Sequence, residues 1–218
     1  MSTLVAYHND KKIKEKYVKR IQQHRKMEHL IQGKTWESNG TVKGCAIGCT
    51  LEAYDHSRYP VELGIPEMIA KLEDCIFEGL PVKEAMEWPE RFLKAVPVGK
   101  DLARVCPKFL LSMLKRRKDA LDANDLVLVG LAMDHAIKVI ADWVEFGKVN
   151  QKSAASAWYA AASAWSAESA ACYAAASAWS AAASAWSAAA SAWYAASAAA
   201  KSAEYIWMSD ELIRLVKE

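Results

Sequence analysis

Apolar residues recur at helical spacing through most of the chain, and two strongly different regimes of that spacing divide it near residue 150. Asn9 or Asp10 is placed to cap a helix through KKIKEKYVKRIQQHRKMEHLIQ, with Ile13, Tyr17, Ile21 and Leu30 on one face and Gly33 as its stop. Asn39-Gly40 predicts a turn, and residues 44–64, rich in glycine and aromatics, form the least regular stretch. Pro66 and Glu67 suit the first turn of a helix that Gly79-Leu80-Pro81 ends. Short helical pieces are expected over 82–88, 89–95 and 101–106, punctuated by Pro89, Pro97 and Pro107, followed by a helix over 108–120 ending in the basic run KRRK. From Asp122 to Phe146 apolar residues nearly encircle the helix, leaving one polar stripe of Asp134, Lys138 and Asp142 before Gly147 closes it. No segment alternates as a strand would, so the head is expected to be all-α.

The second regime is stricter. Trp158, Trp165, Trp179, Trp186, Trp193 and Trp207 are separated by multiples of seven, with Cys172 and Ala200 in the two missing places. Alanine fills most positions between them, serine and tyrosine keep the same register, and neither proline nor glycine interrupts. The pattern predicts one long helix from about Ser153 to the C-terminus, on the order of 100 Å at 1.5 Å per residue. An unsupercoiled helix would drift by about 20° per heptad, so a strict repeat favours a left-handed coiled coil or bundle. Between Lys152 and Lys201 the only charged residue is Glu168, so this surface is expected to be covered by a second copy or by the head. The expected organisation is a small helical head, residues 1–150, followed by a heptad-repeat helix, residues 151–218.

Composition changes this picture little. The net charge of +2 hides a basic excess in residues 1–44, chiefly Lys11, Lys12, Lys14, Lys16, Lys19, Arg20, Arg25 and Lys26 on the first helix. Such a helix could contact nucleic-acid phosphates or simply be a solvated face, and no zinc-finger, RNP or helix-turn-helix signature accompanies it. Five cysteines at irregular spacings read as reduced thiols, and MSTLVAYHNDKKIK lacks the apolar core of a signal peptide, so a cytoplasmic protein is expected. The regular serines and evenly distributed tryptophans argue against a membrane-spanning tail.

Candidate chemistry concentrates in one segment. Cys45, Cys49 and His56, with Asp55 and Glu62 nearby, supply metal-capable side chains, zinc being the candidate ion. The spacing is C-x3-C without a second pair, which fits two cysteines packing inward from one face better than a metal site. A nucleophilic pair could join either cysteine to His56, His8, His24, His29 or His135. In the segment from Tyr54 to Pro60 the structural alternative has Asp55 orienting His56 and Arg58 pairing with a carboxylate. No reaction follows from these residues alone.

The phrases GCAIGCTLEAYDHSRYPVELGIPE and WPERFLKAVPVGKDL resemble a group of uncharacterised bacterial and phage proteins, similar over roughly the first 100 residues and often carrying an Ala/Ser-rich heptad tail. The resemblance implies a head domain with an attached repeat, and no activity. The leading functional expectation is a non-enzymatic assembly protein that associates through its tryptophan heptads. The alternative is an enzyme or metal-binding head centred on Cys45, Cys49 and His56, with the repeat as its oligomerisation element.

Overall fold

A computed structural model describes residues 4–38, 42–147 and 198–218; for residues 123–129, 131–132 and 198–201 it describes the backbone only. The predicted turn at Asn39-Gly40 and the repeat from residue 148 to 197, with Trp158, Trp165, Trp179, Trp186 and Trp193, lie outside the described residues. What is described is mostly helical, and no helix in it is long and apolar enough to cross a membrane. The described residues divide into two compact units, one of residues 4–105 with 198–218 and one from residue 106 to residue 147. The C-terminal helix groups with residues 1–105.

In the first unit, α1 (Lys11–Lys26) begins where Asp10 accepts the Lys12 N–H at 2.8 Å. It stops well before Gly33: Glu28 turns left-handed at φ 56°, and His29 N–H reaches back to His24 O at 2.9 Å. Tyr17, Ile21 and His24 are its buried face. A two-residue hairpin, β1 (Trp36–Glu37) and β2 (Lys43–Gly44), follows. The stretch that looked irregular holds two one-and-a-half-turn helices, α2 (Ala46–Leu51) and α3 (Arg58–Leu63).

Pro66 and Glu67 open α4 (Glu67–Gly79) as expected. The two pieces expected over 82–95 are one helix, α5 (Val82–Ala95), with Pro89 inside it. Proline removes one helical hydrogen bond, but Ala85, Trp88, Phe92 and Leu93 bury a continuous apolar face that holds the helix together across it. α1 and α4 lie against α5, and α2 lies against both α1 and α4.

α6 (Val105–Asp119), all but its first residue in the second unit, carries Pro107 in its first turn, and α7 (Ala123–Phe146) ends at Gly147, φ 71°. Lys118 Nζ and Asp134 Oδ1, 2.5 Å apart, link these two helices, and Lys138 pairs with Asp142 at 3.3 Å along the predicted polar stripe.

The C-terminal helix, α8 (Ala198–Lys217), packs on α4 and α5. Met208, Leu212, Leu215 and Val216, at spacings of four, three and one, are all buried, while Trp207 is half-buried. Arg91 of α5 donates to Ser209 Oγ at 2.7 Å and to Asp210 Oδ1 at 3.0 Å. The approach of α8 to the end of α4 is so close that a Cβ at Gly79 would fall 2.0 Å from carbons of the Tyr205 ring.

Candidate metal centre

The centre is assembled where α2, the loop before α3 and the last turns of α4 meet. Cys45 is the N-cap of α2: its backbone N–H donates to Thr35 O at 3.0 Å, and its Sγ accepts the Gly48 N–H at 3.4 Å. Gly48 is required by the hairpin side of this contact, since a Cβ there would meet Thr35 O at 2.1 Å. Cys45 is thereby fixed in extended backbone while Cys49 is helical, and both thiols are buried. Cys49 Sγ donates to Gly44 O at 3.4 Å, is fully buried, and has its pKa pushed up to about 12 by that burial. Of the expected trio, Cys45 and His56 converge on one carboxylate and Cys49 does not join them.

That carboxylate is Asp74 of α4, 8% exposed. Its Oδ2 accepts from Tyr54 Oη at 3.2 Å and from His56 Nε2 at 3.1 Å. Its Oδ1 is buried without a hydrogen-bond partner of ordinary geometry among the described residues, although the neighbouring Cys45 thiol interacts with the Asp74 carboxylate as a donor. Glu78, one turn later, is exposed and accepts the Gly33 N–H on Oε2 at 2.7 Å. Ligand atoms of Cys45, Asp74 and Glu78 all lie within 4.8 Å of one another.

The electrostatics of this cluster are one-sided. Burial and then the Asp74 charge push the Cys45 thiol well above the ordinary cysteine range. The same two causes push Tyr54 up to about 12. Burial raises the Glu78 carboxyl too, against the Gly33 N–H, with Asp74 adding to the rise. Burial and the nearby Asp74 charge disfavour the ionised forms of Cys45, Tyr54 and Glu78, a situation a bound divalent cation would invert.

The same geometry weighs against nucleophilic catalysis, which needs a thiol of lowered pKa. Among the described residues no histidine nitrogen is hydrogen-bonded to a cysteine: His56 engages Asp74, His8 Nε2 donates to Val61 O at 2.9 Å, and His24 faces His29. Asp55 accepts from the N–H and Oγ of Ser57, at 3.0 and 2.6 Å, and Arg58 pairs with Glu62. The basic face of α1 is partly occupied within the protein. Lys14 donates to the carbonyls of Lys94 and Val96, Arg20 meets Glu52, and Arg25 pairs with Glu87 and Glu90.

Asp74 and Glu78 were not singled out from sequence. The available signal was that Glu73 and Asp74 interrupt the apolar stripe of α4, where carboxylates are rarely buried unless partnered. Glu73 is itself fully buried on another face of the helix. Its Oε2 accepts from Tyr59 Oη at 2.7 Å while Oε1 has no partner among the described residues, and burial above all holds its carboxyl well above the usual range.

No protein-family model, curated protein or solved structure matches this chain.

Proposed function

We propose that the head binds a divalent transition-metal ion, of which zinc is the type, through Cys45 Sγ, Asp74 Oδ1 and Glu78. The single observation that carries this reading is Oδ1 of Asp74, buried beside a cysteine and a second carboxylate without a hydrogen-bond partner of ordinary geometry among the described residues. Tyr54 and His56 both donate to Oδ2, which orients the carboxylate and leaves the other oxygen for a ligand. A thiolate with two carboxylates is a mixed soft and hard donor set that zinc accepts. Three protein ligands, with Glu78 exposed to solvent, leave one coordination position for water or substrate, the arrangement of a catalytic ion rather than a closed structural one.

Equilibrium zinc binding to the full chain tests this. One ion per chain is expected at this cluster, with Asp74→Asn weakening it by tenfold or more and Cys49→Ser leaving it nearly unchanged. Equal loss in Asp74→Asn and Cys49→Ser, or no binding, would overturn the assignment.

The tryptophan heptads support a second element of the proposal: copies of the chain associate through the repeat, which lies in sequence between α7 and the head-bound α8. Replacing Trp165, Trp179 and Trp186 by alanine should shift the sedimenting species toward monomer while helical content is kept, alanine being the better helix former. A wild-type chain that is monomeric at tens of micromolar would refute this part.

A further inference from the structure

At the end of α1 the side chains of His24 and His29 point their Nδ1 atoms at each other across 2.9 Å. His24 is 8% exposed and His29 half-buried, with the edge of Trp36 against the His24 ring at 5.6 Å. The opposite nitrogen of His24, Nε2, faces Glu52 Oε1 at 3.5 Å, and the other oxygen of Glu52 lies 3.3 Å from Arg20. Glu52 reaches this position because it caps α2 in the left-handed conformation, φ 54°. Placing the Nε2 proton toward Glu52 leaves Nδ1 of His24 as a lone pair directed at a second imidazole.

We infer that His24 and His29 form a nitrogen-based site for a divalent transition-metal ion, separate from the Cys45 cluster, in which Glu52 positions His24. A metal-bound histidine characteristically donates its remaining N–H to a carboxylate, and here that carboxylate is in turn held by an arginine. The two facing Nδ1 atoms have room for one proton between them. An ion at the usual zinc–nitrogen distance would need them about 3.3 Å apart, a few tenths of an ångström more than observed. An ion entering here would take the place of the proton shared between the two Nδ1 atoms. Imidazole pairs select zinc, nickel and copper over magnesium or calcium. Water completes the coordination on the half-buried side of His29.

Calorimetric titration of the full chain with Ni²⁺ and with Zn²⁺ tests the site, in wild type and in a Cys45→Ser/Asp74→Asn background where the first cluster is silent. One ion per chain is expected to persist in that background. His29→Gln, at the surface end of the pair, should weaken it by tenfold or more, and Glu52→Gln, which removes only the positioning charge, by about 10- to 100-fold. His8→Gln should bind like its parent. If the double variant does not fold by circular dichroism, the loss of one equivalent on adding His29→Gln to the wild-type chain reads the same site. Unchanged binding in His29→Gln and Glu52→Gln, or no ion in the folded background, would overturn the inference. Neither result depends on whether Cys45 binds metal.

Discussion

A chain ending at residue 197, without α8, is expected to lose cooperative thermal unfolding. Met208, Leu212, Leu215 and Val216 are each 3% exposed or less, and complete burial of such side chains contributes about 1.5–3 kcal/mol apiece. Four of them approach the whole net stability of an ordinary domain, roughly 5–15 kcal/mol. A single-residue version isolates the contact. Gly79→Ala should favour α4 intrinsically by up to about 1 kcal/mol, yet its Cβ would enter the Tyr205 ring, and overpacking of this kind costs about 1–3 kcal/mol. Net destabilisation by Gly79→Ala, relieved when Tyr205→Ala is added, is the expected pattern in denaturant melts. A truncated chain that melts at the wild-type temperature would show that the head is complete without α8.

Glu73→Gln should stabilise the protein at neutral pH, the reverse of the usual result for replacing a buried hydrogen-bonded group. Burial raises the carboxyl's pKa in the folded state above its unfolded value. An acid shifted in that direction contributes fully below the unfolded pKa, and the fold loses stability as pH rises from there toward the folded pKa. The slope in that interval is about 1.4 kcal/mol per pH unit, which glutamine lacks while still accepting from Tyr59 Oη. The stability difference between variant and wild type should therefore grow as pH rises above the ordinary carboxylate range. Parallel stability profiles over that range would mean that Glu73 is not held as the neutral acid.

The parts of this fold that were legible in sequence are those that local chemistry decides. Asp10 caps α1, Pro66 and Glu67 open α4, and Gly147 closes α7, because each needs only its own neighbours. The end of α1 was not legible. A glutamate, not a glycine, takes the left-handed position there, under the backbone bond from His29 to His24 and the bridge between Leu30 and Gly44. Pro89 misled for a related reason, since long-range burial of Trp88 and Phe92 outweighs the local defect. In the candidate centre, Cys45 and His56 were visible as residue types in one segment. The ligands that complete it were not, because Asp74 and Glu78 arrive from a separate helix, α4, that no spacing in the sequence joins to that segment. The C-x3-C spacing did not show that Cys45, and not Cys49, stands near Asp74 and Glu78. The helical pattern running to the C-terminus announced a helix there but could not name α4 and α5 as its partners.

The most direct measurement of the central assignment is the absorption spectrum of the chain loaded with Co²⁺, because a thiolate–cobalt charge-transfer band appears only if a cysteine sulfur is a ligand. The account predicts that band in wild type and in Cys49→Ser, its disappearance in Cys45→Ser, and a weaker-binding Asp74→Asn. A band that survives Cys45→Ser and vanishes with Cys49→Ser, or a chain that binds cobalt with no thiolate band at all, would contradict it.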